Sequence, residues 1–375
     1  MPRDINNRLT NLTARRKGLD RVGRLNETAA AEILARSVTQ EPWQRRATAQ
    51  PYTRYALGAM QAVDQSYTQK SIDEANRVAK QLQDGLPMPV EARLQGSVPL
   101  DVHIRGVSDV DLLVLETSFL TYARYGARGQ SGLYSPAGDR TSLGVLQALR
   151  KEAEDLLKRR YWGANVDCSG GKCIALSGGS FERPVDVVPS HWHDTIEYQS
   201  SGAEHDRGVT ILNKKVPETI DNLPFTHIKR VHDRDSSYFG GLKKAIRLVK
   251  NVKNDADNTS SAEKLPSFDI AALMYHADET VLKAGYINEL YILREAQRFL
   301  DWCYSNKIES GKLMTPDGIR PVLDSEGKRE GLLTISCELD DLVKQVAREQ
   351  GLYSTTPTWS DVYQVLGDAR IPAAA

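Results

Sequence analysis

Apolar residues recur at the spacing of an α-helix in several parts of the chain, and the longest such stretch lies near the N-terminus. Tyr55 and Met60 begin a stripe that continues to Leu82, which predicts one long helix from about residue 54 to residue 85. The turn-forming sequence Gly85-Leu-Pro-Met-Pro89 ends this helix. The same pattern predicts further helices at residues 141–160, 240–253, 268–276, 284–306 and 339–350, with a solvated loop at residues 254–264.

Shorter apolar stretches predict β-strands, because they are rich in β-branched residues and are bounded by turn-forming residues. One pair of these stretches flanks Ser169-Gly-Gly-Lys172, which favours a hairpin. The predicted strands are Val90–Val98, Val107–Leu115, the hairpin pair Asn165–Cys168 and Cys173–Leu176, and Phe181–Val188, which ends at Pro189.

Strands and helices are mixed in the first half of the chain, whereas the second half has helical periodicity alone. This order predicts an α/β (α+β) fold in which a small mixed sheet is followed by a helical lobe. We therefore expect one domain at residues 1–205, the sheet with N-terminal helices, and a helical lobe at residues 206–375.

The composition restricts the class of protein more than its activity. A chain of 375 residues with 40% hydrophobic and 26% charged residues suits a globular protein of two domains. The 49 basic side chains balance the 49 acidic ones, so a general nucleic-acid-coating role loses support. The sequence has no apolar run that would cross a membrane, no apolar signal-peptide core and only four irregularly spaced cysteines, which favour free thiols. We therefore expect a cytoplasmic protein without a membrane partner.

Two aspartates stand at the start of the second predicted strand, directly before the apolar run Leu112–Leu115. Asp109 and Asp111 point to the same face, because side chains alternate along a strand. Carboxylates this close repel each other unless one is protonated or a cation lies between them, and Mg²⁺ prefers such oxygen ligands. Just upstream, the turn Gly96-Ser97 offers backbone N–H groups and a hydroxyl to a phosphate. This segment therefore predicts a metal and phosphate site.

Two-metal phosphoryl transfer usually uses a further carboxylate from another strand. Asp186 is the candidate, since it lies between two valines in a predicted strand, where an unpaired charge would be costly. A metal shared with Asp109 and Asp111 would remove that cost. The alternative is structural: the two earlier aspartates cap a turn, and Asp186 pairs with Arg183 or Arg105.

Three motifs together resemble a known signature. Gly96-Ser97, Ile104-Arg-Gly-Val-Ser-Asp-Val-Asp111 and Arg183-Pro-Val-Asp186 look like that of the polymerase-β-like nucleotidyltransferase superfamily. The branch they resemble most is the bacterial cGAS/DncV-like enzymes (CD-NTases), with oligoadenylate synthase and cGAS as animal relatives. Leu242–Lys250 and Leu265–Leu273 resemble that family's lysine helix and the segment after it. The resemblance implies a bilobal polymerase-β-like core with an oligoadenylate-synthase-like helical lobe.

The resemblance also implies roles in the first lobe. Asp109, Asp111 and Asp186 would hold two Mg²⁺ ions, with Mn²⁺ as an alternative. Asp186 would help to activate the attacking 3′- or 2′-hydroxyl, while Gly96 and Ser97 would contact the donor triphosphate.

One stretch departs from the family pattern. Relatives often carry a Gly-Thr pair where this chain has Val98-Pro-Leu-Asp-Val-His103. Asp101 adds a negative charge near the proposed phosphates, so the resemblance does not define the phosphate contacts here.

In the helical lobe the resemblance implies that Lys250 contacts phosphate, with Arg247 and Ser267 beside it and Phe268 as a stacking platform for a nucleobase. Each residue has a structural alternative. The two basic residues would otherwise belong to a solvated helix face, Ser267 would be a helix N-cap, and Phe268 would be part of the core.

The implied activity is synthesis of a cyclic di- or trinucleotide, or a short linear oligonucleotide, from NTPs with release of pyrophosphate. ATP and GTP are the expected substrates and pyrimidine NTPs the alternative. In such bacterial anti-phage systems (CBASS) a separate effector binds the product. Transfer to an RNA, small-molecule or protein acceptor is one alternative function, and a catalytically inactive nucleotide sensor is another.

Two regulatory expectations follow from the same resemblance. The animal sensor's zinc thumb is missing from the sequence, so a nucleic-acid activator is not indicated. Some relatives are conjugated by a partner through the C-terminus; the small residues of the tail Gly367–Ala375 are compatible with this or with a frayed end.

Overall fold

The computed structural model describes residues 4–24, 27–135 and 138–372. Within these residues one mixed sheet has the strand order β1-β2-β5-β4-β3, with β6 beside β5 and β7 beside β6. The central pair, β2 and β5, is parallel, and the other pairs are antiparallel. The strands are β1 Val90–Gln95, β2 Val110–Tyr122, β3 Asn165–Asp167, β4 Ile174–Gly178, β5 Phe181–Asp194, β6 Gly208–Asn213 and β7 Glu218–Asn222.

Helices fill most of the rest of the described chain. They are α1 Ile5–Lys17, α2 Glu27–Ser37, α3 Pro51–Met60, α4 Gln65–Gly85, α5 Ala127–Gln130, α6 Ser142–Arg160, α7 Ile196–Ser201, α8 Pro224–Ser237, α9 Gly241–Asn254, α10 Thr259–Ala262, α11 Ser267–Met274, α12 Glu279–Ala284, α13 Leu290–Ser305, α14 Lys307–Ser310, α15 Glu326–Glu349 and α16 Trp359–Asp368.

The backbone divides into two compact units, which we call the sheet unit and the helical unit. The sheet unit is Asp64–Asp101 with Ser108–Arg230, and the helical unit is Met1–Val63, Val102–Val107 and Val231–Ala375. This division differs from the expected domains, 1–205 and 206–375. The N-terminal helices group with the C-terminal ones because they bond to each other: Arg15 of α1, for example, forms an ion pair with Asp255 after α9.

The two faces of the sheet bury different sets of side chains. On one face, helices α4 and α6 cover Leu112 and Val114 of β2 together with Val185 and Val187 of β5. The other face has its own apolar cluster, which includes Leu113, Leu115, Val188 and Trp192. Because side chains alternate along a strand, Asp111 and Asp186 belong to this second face.

The long helix expected at residues 54–85 is two helices. Helix α3 ends at Met60, and α4 begins at Gln65, where the side chain of Asp64 accepts hydrogen bonds from the backbone N–H groups of Ser66 and Tyr67. Such an N-cap stabilises a new helix start, so the apolar stripe continues while the backbone breaks.

Strand β5 does not end at Pro189 but continues to Asp194. Pro189 lies between Val187, which pairs with β4, and Ser190, which pairs with β6. Its missing N–H therefore falls where that side of the strand changes partner, and the proline costs the sheet little.

Other helix and loop boundaries also differ from those expected from the sequence. The expected loop at 254–264 contains the short helix α10, and the expected helix at 284–306 is shorter, beginning at Leu290 as α13. All four cysteines are free thiols, as expected. In the described part of the chain, no helix has both the length and the apolar character needed to cross a bilayer.

Candidate active site

Asp111 and Asp186 are directly paired on the two central, parallel strands. Asp111 of β2 lies opposite Asp186 of β5, between Gln95 of β1 on one side and Ala175 of β4 on the other. Paired residues in a parallel ladder project to the same face, so both half-buried carboxyl groups leave the sheet together. Asp109 is exposed and directly precedes the first residue of β2.

The turn after β1 lies against one of these carboxyl groups. Gly96 has φ +76°, and a Cβ atom there would be 2.1 Å from Oδ2 of Asp111. Both the backbone conformation and this close approach require glycine. Ser97 follows in the same turn and is half-buried. The structure thus brings the Gly-Ser turn and the paired aspartates into one place in the sheet unit.

Two ionised carboxylates without a cation between them are electrostatically unfavourable at Asp111 and Asp186. Burial raises the pKa of Asp186, and a hydrogen bond from the Cys173 thiol only partly offsets this. Burial, and then the charge of Asp186, raise the pKa of Cys173 to about 12, so the thiol keeps its proton. A divalent cation would stabilise the ionised carboxylates, and their oxygen atoms are the ligands that Mg²⁺ prefers.

The residues therefore fit a hard divalent cation in their chemistry and backbone register. Their side chains do not form a ready-made cage: among the described residues, no three or more His, Cys, Asp or Glu side chains are grouped as a metal site.

The two arginines considered as structural partners of Asp186 have other contacts. The Arg183 guanidinium lies 3.4 Å from the centre of the Tyr67 ring, and Nη1 of Arg183 donates to the carbonyl of Glu182. Arg105 donates to the carbonyl of Arg16 in the helical unit. Each arginine thus has at least one described contact with a group other than the aspartate.

The remaining candidate residues lie in the helical unit. Lys250 and Arg247 on α9 are buried, with Lys250 only 4% exposed, so they do not form the solvated face considered from the sequence. Nζ of Lys250 donates to the carbonyl of Val102 at 2.6 Å, and Nε of Arg247 donates to the carbonyl of Met60 at 2.8 Å. Both bonds are made within the helical unit.

Ser267 and Phe268 begin helix α11. The N-cap is Pro266, so Ser267 is not the cap but the first helical residue, and it is exposed. Phe268 is 40% exposed rather than part of the core, and the Arg320 guanidinium lies 5.6 Å from the centre of its ring. Asp269 in turn holds Arg320 with a 2.6 Å hydrogen bond. Phe268 is thus a partly exposed ring that has a cationic neighbour.

Sequence reasoning missed Cys173 and Arg320. The pairing of β4 with β5 contained the signal for Cys173, because a residue just before β4 falls near Asp186. No local pattern could indicate Arg320, whose partner Phe268 is far away in the sequence.

Comparisons with known proteins extend these observations. Residues 229–335 match the family profile of the cGAS/DncV-like nucleotidyltransferase C-terminal helical domain. The chain is 41% identical over 309 residues to the cyclic dinucleotide synthase CdnE of Yersinia aleksiciae, covering 82% of this chain and 80% of that protein. It is 32% identical over 291 residues to a c-di-GMP synthase of Lachnospiraceae bacterium (strain RUG226), covering 70% and 80% respectively. Among solved structures, the STING-associated CdnE c-di-GMP synthase of Capnocytophaga granulosa has a TM-score of 0.69 at 26% identity, covering 92% of this chain and 99% of that one.

Proposed function

Because the chain belongs to the cGAS/DncV-like nucleotidyltransferases, or CD-NTases, we propose that it joins NTPs into a cyclic di- or trinucleotide and releases pyrophosphate. Its fold is the polymerase-β-like fold with a mixed sheet that the sequence motifs indicate, and it is a nucleotidyltransferase. The observation that carries the proposal is the in-register pair Asp111–Asp186 with Gly96 packed against it.

Asp109, Asp111 and Asp186 are the residues that would hold divalent metal, two Mg²⁺ ions in our proposal, with Mn²⁺ as the alternative. The family is divalent-metal dependent, and such ions stabilise the charge that develops on a transferring phosphoryl group. In this proposal Asp186 also helps to activate the attacking hydroxyl, since a metal ion that it holds would lower the pKa of that hydroxyl.

The Gly96-Ser97 turn supports the donor phosphates in this proposal. Glycine brings the backbone close to Asp111, and the Ser97 hydroxyl adds a donor where phosphate oxygens would lie. In the helical unit, the proposal assigns phosphate contacts to Ser267, Lys250 and Arg247 and base stacking to the partly exposed Phe268 ring. Lys250 and Arg247 are buried and donate to the carbonyls of Val102 and Met60, so a phosphate contact requires them to rearrange.

GTP is the substrate to test first, since the relatives from Lachnospiraceae and Capnocytophaga granulosa are named c-di-GMP synthases. ATP follows, and the pyrimidine NTPs complete the set. Purified protein would be incubated with Mg²⁺ and each labelled NTP, alone and in pairs, without any acceptor.

A phosphatase-resistant product of cyclic mass, lost in Asp111→Asn and Asp186→Asn, is the expected result. Formation of product only when RNA, a small molecule or a protein is added would favour the acceptor hypothesis. An active-site variant that retained the wild-type cellular phenotype would favour an inactive nucleotide sensor.

Membership of this family also supports proposals about the biological role of the protein. The relative from Capnocytophaga granulosa is described as STING-associated. We infer a bacterial cytoplasmic enzyme of anti-phage signalling, whose product a separate effector binds. The proposed conjugation at the C-terminus concerns residues 373–375, which lie outside the described residues. Mass spectrometry of protein purified from its host with its neighbouring genes would detect such a conjugate.

A further inference from the structure

The helical unit contains a cavity of about 380 Å³ between helices α1 and α3, which we call the α1–α3 cavity. Every described residue that lines it belongs to the first 63 residues of the chain, so the cavity lies within the helical unit alone. Pockets that bind small molecules usually have volumes of about 300–1,000 Å³. The α1–α3 cavity is therefore large enough for a small organic molecule.

One wall of the α1–α3 cavity is apolar and firmly held. Leu9 and Trp43 line it and are only 8% and 3% exposed. Nε1 of Trp43 donates to Oε2 of Glu41, and the indole packs on α3 so closely that a Cβ atom at Gly58 would be 2.8 Å from its ring. Such a fixed wall is suited to the apolar part of a ligand, because little conformational freedom is lost on binding.

The charge in the α1–α3 cavity comes from one arginine. Among the described lining residues, Arg54 of α3 is the only one with an ionisable side chain. The residue is half-buried, and its Nε atom is buried without a hydrogen-bond partner. In the described part of the chain, no carboxylate forms an ion pair with this guanidinium.

The neighbouring arginines on α1 differ from Arg54 in this respect. Arg15 forms an ion pair with Asp255 at 2.6 Å, and Arg16 forms one with Glu41 at 2.7 Å. Removing a cation from water is costly unless an anion compensates it. A half-buried arginine without such a partner, in a cavity without acidic lining residues among those described, therefore indicates a place for an anion.

A second donor lies in the same cavity. The side-chain oxygen Oε1 of Gln44 accepts a hydrogen bond from the backbone N–H of Glu41 at 2.9 Å. This leaves the two N–H groups of the Gln44 amide for another acceptor. The α1–α3 cavity thus combines an apolar wall with a guanidinium and an amide that can donate to one anionic group.

We propose that the α1–α3 cavity binds a small organic anion, a molecule with an apolar body and one carboxylate, phosphate or sulfonate group that pairs with Arg54. The ligand would contact α1 and α3 together and so stabilise the helical unit. This binding is separate from the proposed nucleotide reaction and uses none of its residues.

The test uses two dyes of the same shape that differ in charge. Anilinonaphthalenesulfonate has an apolar body with one sulfonate, and N-phenylnaphthylamine is the same body without it. The full-length protein would be titrated with each dye, and the fluorescence gives the Kd and the number of sites. Circular dichroism shows whether each variant is folded.

Two pairs of variants separate the charge from the space. Arg54→Gln removes the guanidinium, and its control is Arg348→Gln, which removes an exposed arginine of the same unit that donates to Gln345. Thr10→Phe places a ring at an exposed residue that lines the cavity, and its control is Asn11→Phe, at the next exposed residue of α1, which is not among the lining residues.

The wild type is expected to bind one molecule of the sulfonate dye. Arg54→Gln should weaken that binding by about 10- to 100-fold, the usual effect of losing a hydrogen bond to a charged group, and should leave the neutral dye unaffected. Thr10→Phe should weaken the binding of both dyes, because it occupies part of the space. Both controls should keep wild-type affinities, and an excess of a non-hydrolysable GTP analogue should not displace the dye.

Several results would overturn the inference. These are no saturable binding of the sulfonate dye, unchanged affinity in folded Arg54→Gln, an equal loss in Arg348→Gln, equal effects of Thr10→Phe and Asn11→Phe, or displacement of the dye by the GTP analogue. If Arg54→Gln does not fold, the comparison of Thr10→Phe with Asn11→Phe decides, since both residues are exposed.

Discussion

Gly96 and Asp111 are in such close contact that a methyl group on Gly96 would lie 2.1 Å from the carboxylate oxygen Oδ2. This oxygen belongs to the Asp111 carboxylate, and the backbone of Asp111 is held in register by pairing with β1 and β5. Any residue larger than glycine must therefore displace a proposed metal ligand.

Gly96→Ala should lower kcat/KM by about 10- to 100-fold, the range for disturbing the geometry of a metal site. Its free energy of unfolding should fall by only about 1–2 kcal/mol, the usual cost of a left-handed alanine. Gly132→Ala is the matched control, since Gly132 has φ +66° in the same unit and a Cβ there would meet nothing within 4 Å. Equal activity loss in both variants would contradict the assigned role of Gly96.

Asp186→Asn should inactivate the enzyme yet stabilise the metal-free protein. Burial raises the pKa of Asp186 above its ordinary value of 3.8, so the folded protein binds this proton more tightly than the unfolded chain. Its contribution to stability therefore falls as pH rises from 3.8 through the raised pKa, and it stays reduced at neutral pH. The asparagine side chain does not ionise, so Asp186→Asn avoids this loss of stability at neutral pH.

The measurement is Tm against pH, in EDTA and in Mg²⁺ or Mn²⁺. In EDTA the Tm of the variant should exceed that of the wild type at about pH 7, and the two should converge as the pH falls towards 3.8, the ordinary pKa of the carboxyl group. Metal should raise the Tm of the wild type more than that of the variant. A wild-type Tm indifferent to both metals would contradict a metal site at these aspartates.

Phe268→Ala should raise the KM for NTP by about 5- to 150-fold, because stacking a base on an aromatic ring contributes about 1–3 kcal/mol. Phe268→Trp should keep most of the affinity. Phe239→Ala serves as the control, since Phe239 is a 64% exposed phenylalanine of the same unit. The KM values are measured by steady-state kinetics. Equal KM changes in the two alanine variants would contradict a base-stacking role for Phe268.

Arg15→Ala should lower the free energy of unfolding by about 3–5 kcal/mol, the usual cost of leaving one buried ion-pair partner alone. Arg15 donates two hydrogen bonds to Asp255, at 2.6 and 2.8 Å, and the Tyr55 hydroxyl donates a third at 2.8 Å. Arg93→Ala, which breaks a more exposed pair with Glu204, should cost less than about 1 kcal/mol. Urea unfolding of both variants measures the difference.

Residue chemistry predicted that Asp111 and Asp186 lie close together, and the strand register agrees, while their role as metal ligands stays a prediction. Asp186 was identified because a charge between valines in a strand needs a partner, and the ladder places it opposite Asp111. The break between α3 and α4 also has a local signal, because Asp64 is an N-cap residue at the start of α4. The apolar stripe continues across the break, so helical periodicity alone predicts a single helix.

Other features depend on contacts that no local pattern contains. The placement of Val102–Val107 in the helical unit follows from bonds to Lys250 and Arg16, which lie far away along the sequence. Strand β5 passes Pro189 because its neighbours change there, and this can be known only once the strand order is known.

The division of the chain also limits how the protein can be dissected. Since the helical unit is assembled from three separate stretches and the sheet unit from two, neither corresponds to a continuous piece of the gene. A shortened chain that starts after Val63 would lose α1 and α3 along with the carbonyl that Arg105 binds, while keeping every proposed catalytic aspartate. Truncations chosen to preserve the catalytic motif would thus disrupt the packing of the helical unit, including the ion pair between Arg15 and Asp255.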